Sequence, residues 1–172
     1  MQVFVPYPSP LDVAKCLDRK RLLKQITECK QILAAISGES RGWKGHPVTK
    51  MYARHESWLR WYMASLYFFN AGNEPEALFN SHFADIFRPP FLTEAFCDQH
   101  KRRLYTKAPN LYPQFASYGK SEENWYVVDG MVLRYENGKQ VGAVPESFLK
   151  TCFPLKDIRA YGEKLKQFKV EK

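Results

Sequence analysis

The sequence lacks the features that mark membrane, secreted or metal-binding proteins. No apolar run approaches the roughly 18 residues that a membrane-spanning helix needs. The opening residues, MQVFVPYPSP, have neither the charged start nor the long apolar core of a signal peptide. The four cysteines form no CxxC pair and no Cys/His cluster with zinc spacing. We therefore expect a cytoplasmic protein with reduced cysteines, no metal, no cofactor and no membrane partner.

Acidic residues are few relative to basic ones. The 18 Asp and Glu residues face 26 Lys and Arg residues, which gives a formal net charge of +8, and aromatic residues make up 15% of the chain. Positive charge attracts phosphate groups, and flat rings stack on bases. The composition therefore fits two interpretations equally well. One is a protein that binds nucleic acid or a nucleotide, and the other is simply a basic surface around an aromatic core.

The first two thirds of the chain are predicted to be helical. A chain of 172 residues fits one domain. Ser9 and Pro10 are typical of a helix start, and helical sequence continues to about Ile36, in two pieces that meet near Leu17-Asp18. Further helices are predicted from Pro47 to about residue 71, over 75–88 and over 91–107.

The last third is predicted to contain β-strands. Residues 125–128 and 131–135 are rich in β-forming residues, and Asn137-Gly138 is a strong hairpin signal before residues 140–142. Pro145 is predicted to open a final helix. The expected fold is mainly α, with a compact helical core over 1–118 and a C-terminal β-hairpin plus helix over 119–172 in the same compact domain.

One candidate site lies on the first long helix, beside its apolar stripe. Its polar residues recur at i, i+3, i+4, i+7 and i+10, and they are Arg21, Lys24, Gln25, Glu28 and Gln31. Glu28 is the only acid between Asp18 and Glu39. The spacing alone favours an i,i+4 ion pair between Lys24 and Glu28 on a solvated face. The alternative is a general acid/base placed where a polyanion docks.

A second candidate site combines cations with rings. Its members are His100, Lys101, Arg102, Arg103 and Lys107, followed by Tyr105, Tyr112, Phe115 and Tyr118. Such residues contact phosphates and bases, but they equally suit the C-terminus of a helix and a core. The loop with Trp43, Lys44 and His46 repeats the pattern more weakly. Considered singly, the four histidines are more typical of structural residues than of ligands.

Three sequence strings resemble one enzyme family. LDRKRLLKQITE, over 17–28, resembles the first-helix motif of the pyrimidine dimer DNA glycosylases, the phage-type endonuclease V family. GWKGHP, over 42–47, and RLYTKAPNLY, over 103–112, are similar to later stretches of its small bacterial and phage relatives. The resemblance covers about residues 1–118, and residues 119–172 have no counterpart in the small phage enzyme.

The resemblance implies an endonuclease V type fold and a DNA glycosylase with abasic-site lyase activity on damaged pyrimidines. In that family the N-terminal α-amine attacks C1′ of the damaged nucleotide, and a glutamate on the first helix assists. An α-amine suits this role because its reference pKa, about 7.7–8.0, is far below that of lysine. The glutamate would be Glu28. Because Gln2 disfavours removal of the initiator methionine, the nucleophile would be the amine of Met1, or it would be absent.

The implied partner is duplex DNA with a damaged or flipped base, bound by a monomer or weak oligomer. Arg21, Lys24, Gln25 and the 100–107 cluster would hold its backbone, and aromatic residues would fill the space of an extruded base. Two alternatives remain open. One is a non-catalytic binder on the same fold that holds nucleic acid or sequesters a small nucleotide near Arg21, Lys24 and Glu28. The other is an interaction protein that binds through its hairpin.

Overall fold

The structure, a computed structural model, describes residues 1–73 and 88–151. Its contacts divide the chain into two compact units, Met1–Pro90 and Phe91–Lys172. The described parts are mainly helical with one small antiparallel sheet, so the mainly-α class is confirmed. The core predicted over 1–118, with an extension over 119–172, stays a prediction. The helix predicted over 75–88 lies almost entirely outside the described residues, as do Cys152 and most of the predicted final helix.

The first unit begins with a buried extended segment and two capped helices. Helix α1 spans Pro10–Cys16, and the Ser9 hydroxyl caps it by accepting from the Asp12 N–H at 3.4 Å. Leu17 is extended, with ψ 136°, and Asp18 caps helix α2, which spans Arg19–Ser37. The predicted break near Leu17-Asp18 is therefore confirmed, because one helix ends and a new cap follows at once.

The helix predicted from Pro47 to about residue 71 is wrong as one element. The structure has α3 over Pro47–Tyr52 and α4 over Glu56–Asn70, and His55 between them lies outside the helical region at φ −131°, ψ 32°. The rings of Tyr52 and Trp58 stack at 5.9 Å. In one straight helix, residues six apart would point about 120° away from each other. The break allows both rings to be buried together.

Helix α4 packs against both α1 and α2, and this packing forms the core of the first unit. The fully buried side chains include Val13, Ile32, Trp58, Leu59 and Leu66. Each such side chain contributes about 1.5–3 kcal/mol of transfer free energy. The extended N-terminal segment belongs to the same core, since residues 2–6 are all buried.

The second unit begins with helix α5 over Glu94–Lys107. The predicted start at residue 91 is three residues early, because Thr93 is the N-cap and accepts from the Phe96 N–H at 3.3 Å. Phe91 and Leu92 are nevertheless buried, as expected for inward-facing residues. A short 3-10 helix, Pro113–Tyr118, follows α5 and packs on it.

The predicted hairpin is confirmed and forms part of a three-stranded antiparallel sheet in the order β1-β2-β3. The strands are β1, Glu123–Val128, β2, Met131–Glu136, and β3, Lys139–Pro145. Asn137-Gly138 turns with φ of 50° and 79°, and Asp129-Gly130 does the same with 50° and 76°. Positive φ at both central residues defines the type I′ turn. Pro145 ends β3, so the next helix, α6 over Phe148–Thr151, begins three residues later than predicted.

Candidate functional site around Gln25 and Glu28

The buried side-chain amide of Gln25 joins the N-terminal segment to Glu28. Its Nε2 donates to the backbone carbonyl of Gln2 and to Oε2 of Glu28, both at 3.0 Å. Its Oε1 accepts from the backbone N–H of Phe4 at 2.7 Å, and the Tyr62 hydroxyl oxygen lies 3.4 Å from the same Oε1. The Gln25 side chain thus acts as donor and acceptor at once. One amide therefore fixes both a backbone strand and a carboxylate.

These bonds hold residues 1–5 along helix α2. The carbonyl of Gln2 and the N–H of Phe4 lie on one side of the extended chain, facing Gln25, and the Tyr62 hydroxyl donates to the Phe4 carbonyl at 2.6 Å. Burial lowers the pKa of His46, and the positive charge of the N-terminal amine lowers it further. The amine therefore lies near His46. The structure thus brings Met1, Gln2, Gln25, Glu28 and His46 into one region of the first unit.

The orientation of Glu28 is set mainly by Gln25. The Glu28 side chain is only 12% exposed, whereas Lys24 is 70% exposed and its Nζ lies 3.8 Å from Oε1 of Glu28. The predicted i,i+4 pair is therefore present, but a long pair to an exposed lysine contributes little. Burial, followed by the charge of Glu28, raises the pKa of Cys29. The carboxylate thus borders the core.

Arg21, predicted to bind nucleic acid, is paired within the unit. Its Nη1 lies 2.7 Å from Oδ2 of Asp18, and its backbone N–H donates to Oδ1 of the same carboxylate at 3.2 Å. Asp18 therefore caps α2 and neutralises Arg21 at once. Contacts of Arg21 and Lys24 with a polyanion stay a prediction.

The loop from residue 41 to 46 presents an aromatic ring to solvent. Trp43 is 45% exposed, and its φ of 65° is in the left-handed region. Its ring meets the edge of the His46 ring at a centroid distance of 5.3 Å. His46 is fixed in turn, because its Nδ1 accepts from the Val48 N–H at 3.1 Å and so caps α3. Lys44, between them, is exposed.

The second predicted cluster belongs to the second unit, and much of it is buried there. His100 is 1% exposed, and burial, together with the nearby Arg103, lowers its pKa to about 3. Arg103 is 7% exposed, and its guanidinium donates to Glu122 at 2.7 Å and to Asn124 at 3.1 Å. Tyr112 is fully buried. Arg103 thus joins α5 to Glu122, just before β1, and to Asn124 within β1.

Lys101 and Arg102 also have partners inside this unit. Lys101 lies 2.7 Å from Asp98 and 4.7 Å over the ring of Tyr118. Burial alone would lower the pKa of Lys101, but the hydrogen bond and charge of Asp98 outweigh it and raise the pKa. Arg102 donates to the Lys120 carbonyl at 2.8 Å. A role of this cluster, Lys107 included, in nucleic-acid binding stays a prediction.

Among the described residues, the larger excess of positive charge lies in 1–73. These residues hold eleven Lys and Arg against five Asp and Glu, a net charge of +6, whereas residues 88–151 hold nine against seven, a net charge of +2. Counted over the whole sequence, the two units carry the same net charge, 12 basic against 8 acidic residues in Met1–Pro90 and 14 against 10 in Phe91–Lys172. Charge alone therefore does not assign a polyanion to one unit, and a phosphate-binding surface beside Gln25 and Glu28 stays a prediction.

Within residues 1–73 and 88–151, no group of three or more His, Cys, Asp or Glu side chains could hold a metal ion. Among the described cysteines, Cys16, Cys29 and Cys97 form no disulfide bond. No helix of the described ranges is long and apolar enough to cross a membrane.

Comparison with known proteins finds one family. The family model described as pyrimidine dimer DNA glycosylase matches residues 1–67. No curated protein and no solved structure matches the chain. The resemblance indicated by the motifs is thus confirmed over residues 1–67, and these residues include Gln25, Glu28, His46 and Trp43.

Proposed function

We propose that this protein is a DNA glycosylase with abasic-site lyase activity that removes damaged pyrimidines from DNA. The observation that carries the proposal is the pair of bonds from Gln25 Nε2 to the Gln2 carbonyl and to Glu28, at 3.0 Å each. They bring the N-terminal segment beside a half-buried carboxylate. The family match over 1–67 and the basic excess of residues 1–73 support the same conclusion.

In the proposed reaction the amine of Met1 attacks C1′ of the damaged nucleotide. A C–N bond forms, the bond from C1′ to the base breaks, and the base leaves with the bonding electrons and takes up a proton. Glu28 accepts the proton that the attacking amine releases and passes it to O4′ as the C1′–O4′ bond breaks, so the sugar ring opens to a protonated imine. Removal of a C2′ proton then expels the 3′-phosphate, which cleaves the strand. One carboxylate beside the amine suits both proton transfers.

Gln25 acts as a positioning residue in this proposal. Its donor group holds the Gln2 carbonyl and the Glu28 carboxylate, so the amine and the acid/base group have a fixed separation. Reactions between groups held in this way gain from pre-oriented geometry, and small displacements are costly. The break at Leu17-Asp18 serves the same end, because it lets the N-terminal segment return along α2.

Borohydride trapping on duplex DNA with an abasic site tests this proposal. Wild-type protein should be trapped covalently, and Glu28→Gln should bind the DNA, unfold at the wild-type temperature and cleave about 10²–10⁴-fold more slowly. Glu39→Gln, which alters an exposed acid of the same unit, is the matched control. Binding without trapping would favour the non-catalytic binder.

An N-terminal extension identifies the nucleophile. Two residues added before Met1 should abolish trapping and leave DNA affinity nearly unchanged, and a mass spectrum of the intact protein establishes which residue carries the amine. If the extended protein is still trapped, the nucleophile is a lysine, and Lys24 is the first to replace because it lies beside Glu28.

A further inference from the structure

We infer that Trp43 stacks on a nucleobase at the damaged site and thereby recognises it. This inference rests on the proposed function, since it assumes that DNA is the partner. It assigns a role in recognition to the loop 41–46, which the proposed chemistry does not use. Four observations carry the inference. They are the exposure of the Trp43 ring, the backbone conformation at Trp43, the charged residues next to it in the loop, and its contact with His46, which lies near the N-terminal amine.

The exposure of Trp43 is unusual within this chain. All four tryptophans fall within the described ranges, and Trp58 and Trp125 are 1% exposed while Trp61 is half-buried. Trp43, at 45%, is the exposed one. An exposed indole gains contact area when a flat partner covers it, and stacking of a base on an aromatic ring suits any sequence.

The backbone holds this ring outward at a cost. A residue with a side chain at φ 65° is disfavoured, and such positions persist where the surrounding structure enforces them. Here the His46 N–H donates to the Trp43 carbonyl at 2.9 Å, and the His46 ring meets the indole edge. His46 is itself fixed as the cap of α3. The indole is therefore preorganised for a partner, which lowers the ordering cost of binding.

The charges and the position of the loop specify the partner. Arg41 and Lys44 lie on either side of Trp43 in the sequence, and both are exposed. Phosphates next to a stacked base would therefore meet positive charge. The N-terminal amine influences the pKa of His46, which touches Trp43. The ring therefore lies in the region where the proposed reaction occurs, so a base held there would be close to the attacked sugar.

Tryptophan fluorescence tests the stacking, with a duplex that carries a tetrahydrofuran abasic analogue and the same duplex without it. The analogue cannot form an imine, so binding is measured apart from chemistry. We expect the analogue duplex to quench wild-type fluorescence and Trp43→Phe to lose that quenching while keeping most of the affinity. Trp43→Gly, which accepts the positive φ, should bind the analogue duplex about tenfold more weakly. Lys44→Ala should weaken binding of both duplexes equally and keep the quenching.

The outcomes separate this inference from the proposed function. Wild-type affinity in Trp43→Gly, or quenching that persists in Trp43→Phe, overturns the stacking role and leaves the lyase proposal standing. Quenching that depends on Trp43 without any borohydride trapping supports the stacking role and refutes the lyase. A wild-type protein that binds neither duplex overturns both.

Discussion

Replacing Gln25 by leucine should destabilise the protein by far more than an ordinary helix substitution. Leucine has a similar size but no polar atoms, so the Phe4 N–H loses its 2.7 Å acceptor and the Gln2 carbonyl its 3.0 Å donor. Each buried polar group left without such a partner costs about 1–3 kcal/mol. Burial of the apolar side chain offsets about 1–2 kcal/mol. The net loss is about 1–4 kcal/mol of the free energy of unfolding.

Urea denaturation measures this loss. With a urea dependence of about 2 kcal/mol per molar, the midpoint of Gln25→Leu should fall by about 0.5–2 M. Gln31→Leu is the matched control, because it makes the same change on the same helix at an exposed position, where about 0.5 kcal/mol is the limit. Hydrogen exchange of the Phe4 amide should also accelerate in Gln25→Leu. Equal midpoints for the two variants would refute the reasoning.

Three further predictions follow from charge, burial and backbone geometry. Lys20→Ala and Lys44→Ala should each reduce the slope of log affinity against log salt by about 0.9 in DNA titrations, because both side chains are exposed. Arg103→Ala should leave that slope unchanged and lower the urea midpoint, because Arg103 is buried and paired with Glu122. Acid should lower the free energy of unfolding between pH 6.5 and 3, by about 3 kcal/mol at pH 4. The reason is that the unfolded chain binds a proton at His100 in this range, whereas the folded protein, in which the pKa of His100 is about 3, does not. His100→Gln should remove most of this dependence in urea titrations at pH 7 and 4. Gly138→Ala, at φ 79°, should cost about 1–2 kcal/mol in thermal unfolding, whereas Gly45→Ala, whose added carbon meets nothing within 4 Å, should cost less than 1 kcal/mol.

Each of these has a clear contrary result. A flatter salt slope in Arg103→Ala would restore the basic cluster of the second unit as a DNA-contacting surface. An unchanged acid dependence in His100→Gln would mean that another group controls it. Equal costs for the two glycine variants would refute the type I′ geometry of the Asn137-Gly138 turn.

Local signals in the sequence predicted much of the fold. The N-caps Ser9 and Asp18 and the turn Asn137-Gly138 act through neighbours within three or four residues, so they can be read directly from the chain. The break between α3 and α4 could not be predicted in this way, because it depends on the stacking of Tyr52 and Trp58, a tertiary contact. The apolar stripe through this region continues to fit one helix even though the chain turns.

The candidate site was predictable in its members but not in its arrangement. Spacing and resemblance identify Glu28, yet they group Gln25 with the residues that contact the DNA backbone, and the structure buries it at 1% exposed. Its partners on the N-terminal segment lie 21 and 23 positions away, where no helical periodicity applies. The second cluster shows the same limit, because the pairing of Arg103 with Glu122 and Asn124 needs the segment that leads into β1 to return to α5. The Asp98–Lys101 pair, three residues apart on one helix, does have a local signal.

The bonds that Gln25 makes to the N-terminal segment have a consequence for evolution. They reach the main chain at positions 2 and 4, not the side chains there, so they impose no demand on which residues occupy those positions beyond fitting the core. At 2 and 4 these bonds therefore constrain the path of the main chain and not the polar groups of the side chains. Position 25 has no such freedom, since only a side chain that donates and accepts at once can satisfy a carbonyl, an N–H and a carboxylate together. A lineage that lost glutamine there would have to change its N-terminal segment as well.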